Sequence, residues 1–260
     1  MTHSVLTVST PYASTRVLRF GEGERPLLIL PGLSIRSVLL NADAVARAYA
    51  SFTERFTVYL ADRPDPLPPG ATLRSIAEDL DRVLTALGIE RTDIMGVSQG
   101  GMLALYLALD RPARVDRLAL CSSAAYVSPA ARAVLDRWEA LAAALDGDAL
   151  TEDLMKKLFS PALLRAFGGG DRTPPLTGAE AERFIALAET SARFDLRDRL
   201  GEIACPVLAL GAQNDAVLGD AVRETADLLG CERYFYPAPY GHGVYDEARD
   251  FKQRLLAFFN

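Results

Sequence analysis

Short apolar segments alternate along most of the chain with longer stretches in which apolar residues recur at helical spacing. The short segments predict strands at residues 16–20, 27–30, 56–60, 93–97, 115–121, 207–210 and 232–236. The longer stretches predict helices at residues 38–50, 72–87, 100–109, 219–229 and from about 247 onward. Strands that alternate with helices usually pair in parallel and are covered on both faces. The pattern therefore predicts an α/β fold with a mostly parallel central sheet.

The alternation is interrupted at residues 124–193, where no strand is predicted. Apolar positions there form three helical stripes: Val134, Trp138, Leu141 and Leu145; Leu150, Leu154 and Leu158; Ala181, Phe184, Ile185 and Ala188. We therefore predict a helical cap at 124–193, inserted into a core formed by residues 1–123 and 194–260. So small a helix set cannot bury its own apolar surface, and it should pack over the carboxyl end of the sheet. Its large side chains could line a pocket wall there, although most of them should hold the cap together: Trp138, Phe159, Phe167 and Phe184.

Composition narrows the function classes. The chain has 260 residues, of which 50% are hydrophobic and 24% charged, and this is typical of a globular protein. A net charge of −6 disfavours nucleic acids and anionic membranes as partners. No uncharged stretch reaches the ~20 residues of a membrane span, and the N-terminus lacks the features of a secretory signal. Two histidines and three scattered cysteines predict neither a metal site nor a disulfide framework. We expect a cytoplasmic protein that acts on a small molecule without a cofactor; its oligomeric state stays open.

Ser98 lies in a glycine-containing segment between the predicted strand 93–97 and the predicted helix 100–109. Gly96-x-Ser98-x-Gly100 in this context is the pattern of a nucleophile elbow, in which the serine occupies a tight, strained turn. Glycines on either side lack a Cβ atom, so strand and helix can approach closely. A chance match is expected ~0.1 times in a chain of this length. We predict that Ser98 is a catalytic nucleophile, with Gly96 and Gly100 as the elbow glycines.

A serine nucleophile needs a base, and His242 is the histidine placed to supply it. It lies in a glycine-flanked turn after the predicted strand 232–236, at the sheet edge. The other histidine, His3, is expected in a frayed N-terminal segment. An exposed loop histidine is the alternative for His242, but a serine elbow in the same chain favours catalysis.

Asp215 follows a predicted strand and should lie at the carboxyl end of the sheet, where open α/β sheets place their sites. There it would accept a hydrogen bond from His242 and fix the tautomer of the ring. The chain order Ser98, Asp215, His242 is that of the α/β hydrolases. Asp220 is a nearby alternative for the acid, and Asp246 is expected to cap the last helix.

Two backbone amides are candidates for an oxyanion hole. The N–H of Gln99 follows the nucleophile at a helix N-terminus, where the helix dipole favours negative charge. The second donor should come from the loop after the predicted strand 27–30, and the N–H of Leu33 is our candidate. Arg36 lies just beyond this loop and could admit an acidic substrate group; the alternative is an ordinary solvated side chain.

These residues give the chain a resemblance to the α/β-hydrolase superfamily, of the small bacterial type with a helical cap. The matching segments are LLILPGL, DIMGVSQGGMLALYLAL, PVLALGAQNDAV and PYGHGVYDEARDFKQRLLAFF. The resemblance covers about residues 16–123 and 194–260. It implies a mostly parallel central sheet with helices on both faces, and a cap that lies over the active site as a lid.

Two departures from the superfamily pattern leave the substrate open. Members often carry His-Gly in the first loop, where this chain has Pro31-Gly32. Many carry Asp-x-Arg-Gly-x-Gly after the next strand, where this chain reads Asp62-Arg-Pro-Asp-Pro66. Neither departure involves the predicted triad.

We expect a cofactor-independent serine hydrolase, most simply a carboxylic-ester hydrolase that works through an acyl-enzyme. Lactone and thioester hydrolysis are alternatives within the superfamily. Amide or peptide hydrolysis is another, because Glu180, Glu182 and Glu189 of the cap could hold the amine of an aminopeptidase substrate; they could equally be solvated. A ligand receptor with little turnover is the remaining alternative.

Overall fold

The computed structural model describes residues 2–167 and 174–260, with Phe167 described by its backbone alone. Eight strands form one sheet: β1 (His3–Ser9), β2 (Ser14–Phe20), β3 (Arg25–Leu30), β4 (Phe56–Ala61), β5 (Thr92–Val97), β6 (Val115–Cys121), β7 (Val207–Ala212) and β8 (Glu232–Tyr236). Their order in the sheet is β1-β2-β4-β3-β5-β6-β7-β8. β2 pairs antiparallel with β1 and β4, and all other neighbours are parallel. The predicted α/β class is confirmed.

The strand that the sequence did not predict is β1. It pairs with β2 along its whole length, from His3 opposite Phe20 to Ser9 opposite Ser14. The expectation of a frayed N-terminus is therefore wrong. β1 is an edge strand whose residues are mostly exposed or half-buried, with Val8 as its buried side chain, so it lacks the apolar run that marks the other strands.

Ten α-helices surround the sheet within the described residues. The core contributes α1 (Ala42–Ala48), α2 (Leu73–Ala86), α3 (Gln99–Asp110), α8 (Ala221–Leu229), α9 (Val244–Glu247) and α10 (Phe251–Phe258). Between β6 and β7, the segment that we call the cap contributes α4 (Pro129–Ala143), α5 (Gly147–Leu158), α6 (Pro161–Phe167) and α7 (Gly178–Glu189). No described helix has the length and apolar character to cross a membrane.

Three helix predictions differ from the structure in detail. The predicted helix 38–50 is a short α1 with 3-10 turns at Val38–Asn41 and Ala50–Phe52. The predicted last helix is two helices, because Ala248 adopts an extended conformation (φ −77°, ψ 122°) between α9 and α10. In the cap, α6 was not predicted because its seven residues carry too short an apolar stripe.

Apolar side chains form two cores, one on each face of the sheet. One core joins α2 and α3 to the cap, so that Leu103 of α3 and Phe184 of α7 belong to the same cluster. The other joins α1 and α10 to the opposite face, with Phe52 and Phe251 at zero exposure. The cap is therefore packed continuously onto one side of the sheet, next to the carboxyl ends of the parallel strands.

Candidate active site

Ser98 occupies the turn between β5 and α3 in a conformation that L-residues rarely adopt (φ 50°, ψ −121°). Three hydrogen bonds hold its backbone. Its N–H donates to the Cys121 carbonyl at 2.9 Å, and its carbonyl accepts from the Gly101 N–H at 2.9 Å and the Ser123 hydroxyl at 2.7 Å. Val97 before it is buried, whereas Ser98 itself is partly exposed. The turn therefore presents the serine at the surface of the core.

Three glycines leave room for this turn. A Cβ atom on Gly96 would lie 2.5 Å from the Cα of Gly101, and one on Gly100 would overlap the carbonyl of Leu30. Gly101, which the sequence analysis did not single out, is as restricted, because its Cβ would lie 2.5 Å from the Cβ of Ser123. The sequence signal for this restriction was the Gly100-Gly101 pair directly after Gln99.

His242 and Asp215 form a buried pair. The Nδ1 atom of His242 lies 2.7 Å from the Asp215 Oδ2, and the two residues are 2% and 7% exposed. The other carboxylate oxygen accepts from the amides of Val217 at 2.9 Å and Leu218 at 2.8 Å. Burial acts to raise the pKa of Asp215, but His242 and these two amides outweigh it and leave the pKa lowered. An ionised Asp215 favours the proton on Nδ1 and leaves Nε2 as the basic atom.

The alternative acids lie elsewhere. Asp220 is exposed and forms an ion pair with Arg223 at the start of α8. The sequence predicted that Asp246 caps the last helix, and this prediction is wrong. Asp246 lies within α9, and α10 begins after Asp250. His3 lies in β1, with its Nδ1 atom 3.7 Å from a carboxylate oxygen of Asp43.

The hydroxyl of Ser98 has no hydrogen-bond partner among the described residues, and in particular none in His242. Catalytic hydrogen bonds are often long in free enzymes and shorten when substrate binds. In this structure Ser98 and His242 are thus each held by their own hydrogen bonds, and no hydrogen bond joins the two side chains.

Two backbone amides near the elbow have no acceptor among the described residues. Gln99 is the first residue of α3, so its N–H has no acceptor within the helix. Neither this amide nor that of Leu33 donates to an acceptor in the described part of the chain. A Cβ on Gly32 would lie 3.2 Å from the Cβ of Ser98, so the loop at residues 31–37, called the oxyanion loop below, contacts the elbow.

A buried arginine supports the oxyanion loop. Arg63, which is 4% exposed, donates from Nη2 to the Pro31 carbonyl at 2.6 Å and from Nε to the Gln99 Oε1 at 3.3 Å. Burial lowers the pKa of Arg63 to about 10, with Asp62 acting in the opposite direction, so the guanidinium stays charged at neutral pH. The sequence did not lead us to predict a role for Arg63. The available signal was the charged pair Asp62-Arg63 directly after a buried strand.

The Gln99 side chain also contacts the cap. Its Nε2 donates to the Leu187 carbonyl at 2.8 Å and to the Ser191 hydroxyl at 2.8 Å, at the end of α7. One residue thus carries a candidate oxyanion amide on its backbone and links the elbow to the cap through its side chain.

The loop that carries His242, residues 237–243, is called the histidine loop and lies against the end of α5. The N–H of Gly243 donates to the Leu158 carbonyl at 2.7 Å, and that of His242 donates to the Lys157 carbonyl at 3.4 Å. A Cβ on Gly241 would lie 2.9 Å from the Leu158 oxygen. Glycine is therefore needed here for close contact between the histidine loop and the cap.

A carboxylate ties the same part of the cap to α9. Glu247 accepts from the Ser160 N–H at 3.0 Å through one oxygen and from the Ser160 hydroxyl through the other. The Ser160 hydroxyl also accepts from the Leu163 N–H at 3.2 Å, within the first turn of α6. The position of the histidine loop thus depends on cap residues.

The residues predicted to form the pocket wall have other roles where the structure describes them. Trp138 is buried and donates to Asp153 at 2.8 Å, linking α4 to α5, and Phe184 has zero exposure within the packed core. These two side chains hold the cap together, which is the alternative role that the sequence left open for most of the four. Phe159 is half-buried, and its ring lies 2.7 Å from where a Cβ of Gly243 would be. The side chain of Phe167 lies outside the described residues.

Arg36 is half-buried and paired with a cap carboxylate, so it is not the free cation that would attract an acidic substrate. Its Nε donates to Glu180 at 2.7 Å, and its Nη2 donates to the Pro174 carbonyl at 3.0 Å. The Arg36 hydrogen bond and the Thr177 amide lower the pKa of Glu180 to about 2. The pair joins the oxyanion loop to the start of α7. Within the described residues, no group of three His, Cys, Asp or Glu side chains is arranged to hold a metal ion.

A mostly parallel sheet with a serine elbow after β5 and a histidine–aspartate pair at the ends of β7 and β8 defines the α/β-hydrolase class of folds. The chain belongs to the alpha/beta hydrolase fold family, whose pattern it matches over residues 25–248.

Individual relatives match only part of the chain or share less than a third of its residues. A Klebsiella pneumoniae protein named as a carbamate hydrolase is 30% identical over 162 residues, which is 59% of each chain. The 3-oxoadipate enol-lactonase 1 of Acinetobacter baylyi is 27% identical over 152 residues, or 56% of this chain and 55% of that protein. Both matches span little more than half of the relative's length. The crystal structure of a hydrolase from Pseudomonas aeruginosa is similar over 98% of both chains, with a TM-score of 0.73 and 27% identity.

Proposed function

We propose that this chain is a cofactor-independent serine hydrolase that cleaves small carboxylic esters through Ser98, His242 and Asp215. One observation carries the proposal: Ser98 sits in a strained turn beside two unpaired amides, while a buried Asp215 holds His242 at 2.7 Å. Strain of this kind persists only where the surrounding structure imposes it, and it is common at catalytic residues.

The reaction follows from the groups at hand. The Ser98 oxygen attacks the ester carbonyl as its proton passes to Nε2 of His242. The negative oxygen of the tetrahedral intermediate accepts hydrogen bonds from the amides of Leu33 and Gln99. When the carbon–oxygen bond breaks, His242 returns the proton to the leaving alcohol, and an acyl-enzyme remains.

A water molecule completes the cycle. It gives a proton to His242 and attacks the acyl carbonyl, and the same two amides stabilise the second tetrahedral intermediate. Collapse releases the carboxylic acid and returns the proton to Ser98. Asp215 stays ionised and stabilises the imidazolium in both halves of the reaction. The sum is ester plus water giving acid plus alcohol.

Lactone hydrolysis is the second candidate, since one relative is named an enol-lactonase. A lactone is a cyclic ester, so the same steps apply with the leaving alcohol still attached. Aminopeptidase activity has less support: Glu180 is paired with Arg36, and Glu182 and Glu189 are exposed. A small-molecule substrate and a cytoplasmic location stay predictions from the sequence.

Steady-state turnover tests the proposal. The purified chain and its Ser98→Ala variant are assayed on p-nitrophenyl esters, simple lactones, thioesters, aryl carbamates and aminoacyl anilides. We expect repeated turnover of esters that disappears in the variant, while the circular dichroism spectra of the two proteins match. Turnover confined to the anilides would replace the ester assignment with amide hydrolysis. Binding without turnover of any compound would favour a receptor.

A further inference from the structure

A cleft opens beside the oxyanion loop, on the face of the sheet that α1 and α10 cover. Its volume is about 360 Å³, within the range of small-molecule sites. Ile29, Leu60 and Val97 line it from the strand ends, and Ala48 lines it from α1. The cleft is therefore built from the core, and none of its lining residues belongs to the cap.

The cleft begins next to the reacting atoms. Gly32 and Leu33 form part of its wall, and a Cβ on Gly32 would lie 3.2 Å from the Cβ of Ser98. Val97 on its lining directly precedes Ser98. A carbonyl oxygen bound to the Leu33 amide would thus place one substituent of the carbonyl carbon at the cleft entrance.

The lining is mainly apolar, with the hydroxyl groups of Ser34, Tyr49 and Tyr245 among it. Asp246 is its one charged residue and lies exposed at the rim, beside Tyr245. The ammonium of Lys252 lies 5.0 Å from the ring centroid of Tyr49 and is not among the lining residues. Arg36, the cation that the sequence offered for an acidic substrate, is paired with Glu180. The one charged group on the lining is thus the carboxylate of Asp246, which would repel a carboxylate at the end of a bound acyl chain.

We propose that this cleft binds the acyl chain of the substrate and selects uncharged apolar chains over chains that end in a carboxylate. This inference rests on the proposed ester hydrolysis and adds the substrate class. It also distinguishes the chain from its relative named a 3-oxoadipate enol-lactonase, because an oxoadipate is an acid.

Two comparisons on the unmodified protein test the inference. Across p-nitrophenyl acetate, butyrate and hexanoate, kcat/KM should rise about fourfold per methylene until the cleft is full, which corresponds to about 0.8 kcal/mol per buried methylene. The p-nitrophenyl monoester of adipic acid, which matches the hexanoate in length but ends in a carboxylate, should be at least tenfold poorer than the hexanoate. Asp246→Asn should narrow that gap at least threefold.

A matched pair of variants locates the chain in the cleft. Ala48→Phe narrows the cleft from its exposed edge, so the ratio of kcat/KM for the hexanoate to kcat/KM for the acetate should fall to near one. Ala50→Phe adds the same ring two residues further on, at an exposed position outside the cleft, and should behave as the unmodified protein.

The failures of the two proposals are distinguishable. If no ester, short or long, shows Ser98-dependent turnover, the proposed function fails. If acetate turnover depends on Ser98 but the chain-length profile is the same in Ala48→Phe, or the adipate monoester equals the hexanoate, the cleft assignment alone is overturned. The adipate comparison needs no variant, so it holds even if Ala48→Phe folds poorly.

Discussion

The two halves of the candidate site are attached to the cap in different ways. The Ser98 half is held mainly by the core: backbone bonds from β6, close-packed glycines and the buried guanidinium of Arg63. The histidine loop instead donates backbone hydrogen bonds to the cap carbonyls of Lys157 and Leu158, and Glu247 of α9 accepts from Ser160 of the cap. The Ser98 half also contacts the cap, but through the side chains of Gln99 and Arg36. The histidine loop contacts the cap through its backbone, so the position of His242 should depend more directly on the cap.

This difference gives the cap a second role. A movable lid would be expected to touch the active site through side chains that can separate from it. Here Gly243 donates to a cap carbonyl at 2.7 Å, and Glu247 binds both polar groups of Ser160. Removal of the cap should therefore disturb the position of His242.

The largest effect should follow from loss of the acid that orients the base. Asp215→Asn keeps the shape of the side chain but favours the wrong tautomer of His242, and we expect kcat to fall by up to about 10⁴. Stopped-flow or steady-state assays on a p-nitrophenyl ester measure the change. Asp220→Asn is the control and should leave kcat unaltered; the reverse order would move the acid to Asp220.

Loss of Arg63 should weaken the oxyanion hole without affecting the base. Arg63→Met leaves the Pro31 carbonyl and the Gln99 side chain without their donor, and we expect kcat to fall about 10²-fold with KM little changed. Arg183→Met is a matched control, since Arg183 is also mostly buried and has a nitrogen 3.9 Å from Asp62, but makes no hydrogen bond to the oxyanion loop. Equal losses of kcat in both variants would argue against this role for Arg63.

Substitutions at two helix-capping serines, Ser160 and Ser128, distinguish an effect on the stability of the protein from an effect on the position of His242. Ser160 accepts from an amide of α6 and Ser128 from an amide of α4, each at 3.2 Å, so each serine-to-alanine change should cost about 1 kcal/mol of unfolding free energy. Ser160→Ala also breaks the hydroxyl contact with Glu247, and we expect its kcat to fall about tenfold, because small displacements of a catalytic group are costly.

Ser128→Ala should keep kcat within about twofold. Urea unfolding and turnover are measured on both variants. Similar kcat values in the two would show that the tie between the cap and α9 does not position His242.

The parts of the site that the sequence predicted depend on residues close together in the chain. The elbow lies within five consecutive positions, and its glycines are recognisable because a turn of this kind needs them on both sides of Ser98. Asp215 and His242 were predicted because parallel strands bring their carboxyl ends to one edge. A local sequence pattern and one rule of sheet geometry were sufficient to predict that these residues lie at the same edge of the sheet.

The parts that were missed join residues far apart in sequence. Ser160 and Glu247 are separated by 87 positions, and Arg36 and Glu180 by 144. No periodicity encodes such pairs, since each member resembles an ordinary surface residue. For the same reason the roles of Trp138 and Phe184 stayed open between a pocket wall and the interior of the cap: their size predicts burial, but the sequence does not show which groups they pack against.

The measurement that tests the central claim most directly is the mass of the intact protein after reaction with a fluorophosphonate, followed by peptide mapping. We predict one adduct per chain on the peptide that contains Ser98, no adduct in Ser98→Ala, and labelling slowed by at least 10³-fold in His242→Ala. An adduct on another residue, or a Ser98→Ala variant that keeps turnover within tenfold of the unmodified protein, would contradict the account.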